Sequence, residues 1–254
     1  MLTTDHFQAL TVDEREDRLL VRMNRPEVRN AIDAAMVSEL HEVCHYLERT
    51  PKIMILTGCE ANGCGIFASG ANIAQLRERR REDALLGVNS QIFDRIHKLP
   101  MPVIAAIDGY ALGGGAELAY AADFRLGTPY IKMGQPETGL GIIAAAGALW
   151  RLKELVGEPV ALEILMAGRI LNAEEALELR LVTEIHDPAE LLDAAHALAD
   201  RIGEQDPLAV RITKRVFSAP PSAHPHIDEL AQAILFESEA KFDRMQAFLD
   251  RKKK

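Results

Sequence analysis

An apolar pentapeptide, Val103–Ile107, runs directly into Asp-Gly-Tyr-Ala-Leu-Gly-Gly-Gly, and a carboxylate follows at Glu117. The pentapeptide reads as a strand buried on both faces. The glycines at 113–115 let the backbone turn sharply and come close to a ligand. A helix beginning there offers unpaired N–H groups and its positive dipole end, a setting suited to negative charge. Glu117, three residues after Gly114, would sit over that site.

The strand-to-helix alternation recurs on both sides. Phe7, Ala9 and Thr11 alternate as a short strand, residues 13–17 form a polar turn, and Leu19, Leu20, Val21 and Met23 follow as a second strand. Asn24-Arg25-Pro26 stops it. Asp33 is placed to cap a helix with Met36, Leu40, Val43, Cys44 and Leu47 on one stripe. Residues 52–56 read as a buried strand and 58–70 as a glycine-bearing loop. Residues 73–88, polar and arginine-rich, read as an exposed helix or lid. Ile92, Ile96 and Leu99 mark another helix, ended by Pro100 and Pro102. Strand, loop and helix follow again over 123–165. This order predicts an α/β fold. Beyond about residue 199 no strand signal appears. Ile227, Leu230, Ala231, Ile234 and Leu235 have helical spacing, and Phe242, Met245 and Leu249 continue an apolar stripe. The chain therefore divides into a core over 1–198, carrying the active site, and a helical region over 199–254. Its apolar face could fold back or pack on another subunit.

Of 254 residues, 48% are hydrophobic and 26% charged, enough apolar surface to exclude a disordered chain. Lys and Arg number 29 against 38 Asp and Glu, a net charge of −9 that argues against nucleic acid or an anionic membrane as partner. Three cysteines, Cys44, Cys59 and Cys64, form no disulfide framework. The first residues lack the basic and apolar stretches of a signal peptide. The longest near-continuous apolar run, over 140–150, is well short of the ~20 residues that span a bilayer. A cytoplasmic protein that does not enter membranes is expected.

A second glycine-bearing segment is Lys132-Met-Gly-Gln-Pro-Glu137-Thr-Gly-Leu-Gly141, where Pro136 stiffens the chain before a carboxylate. A third is Phe67-Ala-Ser-Gly-Ala-Asn72-Ile. With Asn24-Arg-Pro-Glu-Val-Arg-Asn-Ala31, Gly109-Tyr-Ala-Leu-Gly-Gly-Gly-Ala-Glu117, Ala167-Gly-Arg-Ile-Leu-Asn-Ala-Glu-Glu-Ala176 and Leu181-Val-Thr-Glu184, these segments resemble the crotonase family of enoyl-CoA hydratases and isomerases, in family order along nearly the whole chain. The resemblance implies a spiral of ββα units with a C-terminal helical trimerisation region, assembled as a homotrimer or a homohexamer. It implies a coenzyme A thioester as substrate, with coenzyme A part of that substrate and no separate cofactor or metal. The N–H groups of Ala71 and Gly114 would hold the thioester oxygen as it becomes an enolate. Arg29, Ala31, Ala71, Asn72, Ile73, Ala74 and Gly114 would contact the acyl-CoA.

The resemblance also assigns the two glutamates. Glu117 would hold and activate water, and Glu137 would deliver the α-proton. Hydration needs a base at one carbon and an acid at the other, and two carboxylates over one enolate supply both. Isomerases of this family commonly manage with one, so the pair favours a 2-enoyl-CoA hydratase, as in fatty-acid β-oxidation. A double-bond isomerase, a hydrolase or a non-catalytic CoA-ester-binding protein are the alternatives. Burial and mutual repulsion would raise at least one of the two carboxyl pKa values.

The chain departs from the family at Asn72, usually Asp, and at Ala74, commonly Lys. Over 144–150 it reads Ala-Ala-Ala-Gly-Ala-Leu-Trp in place of a Pro-Gly-Ala-Gly-Gly-Thr-Gln type of run, and Asp243-Arg244 stands where Glu-Gly is common. Three other patterns have plain explanations. Gly139-Leu-Gly-Ile-Ile-Ala144 fits a dinucleotide fingerprint but follows no clean strand. His41, Cys44 and His45 share a helical face where Cys44 serves packing. Arg77, Arg79, Arg80 and Arg81 form a solvated face from which one arginine could reach the CoA phosphates, with Arg25, Arg29 and the C-terminal lysines as rivals.

Overall fold

The computed structural model describes residues 2–251. Residues up to Ala199 and residues from Asp200 onward form two units. The chain opens with strands β1 (Leu10–Glu14) and β2 (Arg18–Met23), then helix α1 (Ala34–Arg49). Strands β3 (Ile53–Thr57), β4 (Cys59–Ala61) and β5 (Cys64–Ala68) lead to helices α2 (Ile73–Glu78), α3 (Arg81–Leu85) and α4 (Val88–His97). Strands β6 (Val103–Ile107) and β7 (Tyr110–Leu112) lead to α5 (Gly114–Ala121). Strands β8 (Phe124–Gly127) and β9 (Lys132–Gly134) lead to α6 (Ala148–Val156) and α7 (Glu158–Ala167). Strand β10 (Ile170–Leu171), α8 (Ala173–Glu178), β11 (Glu184–Ile185) and α9 (Leu191–Gly203) follow.

Two sheets organise the first unit. One has the order β1-β2-β3-β6-β8-β11 and the other β10-β9-β7-β5-β4. Three times the chain lays a strand in the first sheet, crosses to the second and returns by helix, through β3 and β5, β6 and β7, and β8 and β9. These are turns of a ββα spiral. The central strands β3 and β6 are buried at every residue, as their unbroken apolar sequence requires. Asp33 caps α1 by accepting the Met36 N–H, and Met36, Leu40, Val43, Cys44 and Leu47 pack inward.

Three local expectations are corrected. The first strand begins at Leu10, not at Phe7. Residues 58–70 are largely a β4–β5 hairpin rather than a loop. Asn62 and Gly63 at its tip both have positive φ, 54° and 75°, the conformation that Asn-Gly adopts in a two-residue hairpin turn. Residues 73–88 form two short helices, α2 and α3, separated at Arg79 and Arg80, whose extended backbone interrupts the helical path.

The unit from Asp200 onward holds α10 (Pro207–Phe217), α11 (His226–Phe236) and α12 (Glu239–Arg251), none of which buries a residue. Leu230, Ile234, Phe236, Phe242, Met245, Phe248 and Leu249 all stand exposed. The basic terminal residues Lys252, Lys253 and Lys254 lie outside the described residues. No helix among the described residues is long and apolar enough to cross a membrane.

Candidate active site

The glycine turn joins β7 to α5, and every residue of α5 is buried. Gly113 caps the helix with φ 52° and ψ −126°, a conformation an L side chain rarely adopts. Its N–H donates to the Gly134 carbonyl at 2.9 Å, which ties the turn to β9 just before Glu137. A Cβ built on Gly113 would lie 2.4 Å from Glu137 Oε1. The Glu137 carboxyl therefore rests against the bare Cα of Gly113, and a side chain there would displace the carboxyl or the turn.

Glu117, one turn into α5, is 3% exposed. Its Oε1 accepts the N–H groups of Ala146 at 2.7 Å and Ala148 at 3.1 Å. Burial raises its pKa from 4.5 to about 7. The two N–H donors oppose that rise and repulsion from Glu137 adds to it. A helix N-terminus favours an ionised carboxylate by ~0.3–2 kcal/mol. Desolvation outweighs it, since the net rise corresponds to about 3 kcal/mol. Glu137 is also raised by burial, and its Oε2 is buried with no hydrogen-bond partner among the described residues. The structure thus brings together two carboxyls of elevated pKa, one braced by the N–H groups of Ala146 and Ala148 and one with a buried, unpartnered oxygen.

Opposite them lies the loop after β5. Ile32 N–H donates to the Gly70 carbonyl and Ser69 N–H to the Arg29 carbonyl. Asn30, fully buried, donates from its amide to the carbonyls of Ile66 and Phe67. The segment 24–31 therefore braces the loop that carries Ala71. A Cβ built on Gly70 would be 3.5 Å from the Gly114 nitrogen, and one built on Gly114 would be 4.0 Å from the Ala71 nitrogen. The two nitrogens border the same small space, and neither N–H donates to any of the described residues. Paired, unspent N–H donors at a helix start can stabilise an oxyanion.

The other expected contact residues surround this loop. Asn72 caps α2 by accepting the Gln75 N–H, and Ile73 and Ala74 form the exposed first turn of that helix. Ala31 is buried beneath, and Arg29 is exposed. Arg25 is engaged with Asp33 at 2.6 Å and Glu27 at 3.0 Å, so it is the weaker rival for a phosphate. His41 Nδ1 sits 3.0 Å from an Arg95 guanidinium nitrogen, a poor setting for a cation. Cys44 beside it is buried, its thiol pushed up to about 12. Among the described residues no cluster of His, Cys, Asp or Glu is arranged to hold a metal ion. Glu137–Leu140 is a 3-10 turn, so Gly139 and Gly141 do not open the helix a dinucleotide fingerprint requires.

Sequence reasoning missed Gly113 as the seat of Glu137, and Ala146 and Ala148 as the brace of Glu117. The signal for the latter was Gly147, whose φ of 139° turns both neighbouring N–H groups toward one carboxylate.

Because Glu117 holds its proton more tightly in the folded chain, the sign of its linkage is fixed. Its contribution to stability is full below pH 4.5 and is lost as pH rises toward 7. Glu117→Gln keeps the acceptor for Ala146 and Ala148 but cannot ionise. Between pH 5 and pH 8, the stability of the variant relative to the parent should rise by about 2.5 kcal/mol in denaturant titrations. An unchanging difference would refute a raised pKa at Glu117.

A sequence profile described as enoyl-CoA hydratase/isomerase matches residues 14–254. The chain is 33% identical to the short-chain-enoyl-CoA hydratase of Clostridium acetobutylicum, over 94% of each chain. It is 35% identical to the crotonyl-CoA hydratase of Syntrophomonas wolfei, over 97% of each. The crystal structure of an enoyl-CoA hydratase from Bacillus anthracis superposes with a TM-score of 0.89 at 29% identity, covering 96% of this chain and 97% of that one.

Proposed function

The chain belongs to the enoyl-CoA hydratase/isomerase family, and from that premise we propose that it adds water across the 2,3 double bond of a 2-enoyl-CoA to give a 3-hydroxyacyl-CoA. The observation that carries this is the pair of burial-raised carboxyls, Glu117 and Glu137, at one glycine turn close to the Ala71 and Gly114 nitrogens, whose N–H groups donate to none of the described residues.

In this mechanism Glu117 is ionised and Glu137 protonated. Water oxygen bonds to the β-carbon while Glu117 takes one water proton. The double-bond electrons move onto the thioester oxygen, held by the N–H groups of Ala71 and Gly114. Such a donor contributes roughly 2.7–4 kcal/mol where charge develops only in the transition state. The enolate then collapses as its α-carbon takes the Glu137 proton. The pair carries one proton before water adds, two while the enolate stands and one again in the product, and burial, which raises both pKa values, favours the protonated carboxyls this sequence needs. Arg29, Ala31, Asn72, Ile73 and Ala74 line the approach of the acyl-CoA. Coenzyme A arrives as part of the substrate, and no resident cofactor takes part.

The purified protein should consume crotonyl-CoA, read as loss of the conjugated enoyl-thioester absorbance. Faster conversion of a 3-enoyl-CoA into its 2-enoyl isomer would make isomerisation the principal activity instead. No turnover of either class would leave a binding protein.

The same proposal includes self-association in a cytoplasmic setting. The apolar residues exposed along α11 and α12 support association, and three free thiols support a reducing compartment. Sedimentation equilibrium should give three or six times 28.0 kDa. A monomer at micromolar concentration would contradict it.

A further inference from the structure

Helix α4 packs one face inward through Ile92, Phe93 and Ile96, all fully buried. The helical repeat of that stripe, counted back one turn, falls on Asn89. An amide there is anomalous on packing grounds. Its Oδ1 is buried without a hydrogen-bond partner among the described residues, a state that costs stability. Its Nδ2 donates to none of the described residues either. Its neighbours on α4 behave differently, since Ser90 bonds the Gly87 carbonyl and Gln91 bonds the Leu86 carbonyl. The fold therefore uses those side chains and leaves Asn89 free.

The position of the amide gives it a task. The point where a Cβ would stand on Gly114 is 3.7 Å from Asn89 Nδ2, 3.9 Å from Gly70 Cα and 4.0 Å from the Ala71 nitrogen. The side-chain donor thus borders the same small space as the two main-chain nitrogens. We propose that Asn89 is a further catalytic residue, whose Nδ2 donates to the thioester oxygen as the enolate forms. This rests on the acyl-CoA reading of the site. A third donor in a partly desolvated site acts on the developing charge more than on the ground state, so its loss should appear in kcat.

Asn89→Leu keeps the size and removes the donor. Asn89→Asp keeps the shape and puts an acceptor beside the oxyanion. With crotonyl-CoA, both should lower kcat by about 10²-fold while KM changes little. A cinnamoyl-CoA thioester bearing a para-amino donor reports the same interaction without turnover. Its absorption should shift to the red on binding the parent enzyme, and less on binding either variant. A red shift and kcat equal to the parent's in Asn89→Asp would overturn the assignment, as would a rise in KM alone. If Asn89→Leu does not fold, Asn89→Asp decides. Failure of the parent enzyme to shift the probe would instead count against the thioester site itself.

Discussion

Replacing Glu137 with Gln lowers kcat for hydration of a 2-enoyl-CoA by about 10²–10⁴-fold, with the fold intact. The Glu137 carboxyl is half-buried, raised by desolvation, and has one oxygen buried without a partner. Among the described residues only its own main-chain N–H favours the charged form, so an amide of the same shape fits. It cannot, however, deliver a proton to the α-carbon. Steady-state kinetics with crotonyl-CoA, alongside thermal unfolding, check this. An undiminished rate would remove Glu137 from proton transfer.

Gly113→Ala should be nearly as damaging to activity. The added methyl would stand 2.4 Å from Glu137 Oε1 at a φ of 52°. Either the carboxyl swings away or the turn before α5 relaxes. Displacing a reacting group by about 1 Å costs on the order of 10²-fold in rate. The turn also carries the Gly114 N–H, so both the acid and the oxyanion donor move. We expect kcat to fall by about 10²-fold or more, with stability falling by about 1 kcal/mol or more from the strained backbone. A variant with parental kcat would show that Glu137 is not seated by Gly113.

Much of this was legible in the sequence because it depends on local chemistry. The Val103–Ile107 strand, the glycine turn and the Asp33 cap each follow from a few neighbouring residues. Glu117 and Glu137 stood out through the glycines around them and through the family resemblance. What was not legible depends on contacts across the fold. Strands β7 and β9 have three residues each, too short for a periodicity, so the second sheet could not be read directly. The β4–β5 hairpin did carry its signal, Asn62-Gly63, but its strands are short and β4 is not apolar. The Ala-Ala-Ala-Gly-Ala run reads as packing, yet its N–H groups brace Glu117. Asn89 looks like an ordinary polar helix residue until Gly114 is found beside it. Hydrophobic spacing says which face turns inward and nothing about what it meets.

Hydration at this site makes a water oxygen the 3-hydroxyl of a coenzyme A thioester. The most direct test is turnover of crotonyl-CoA in water enriched in oxygen-18, with the product identified by mass and fragmentation. The product should be heavier by one water and labelled in a hydroxyl at the β-carbon. Recovery of unlabelled enoyl-CoA, a positional isomer without added water, or label in a free carboxylate would contradict it.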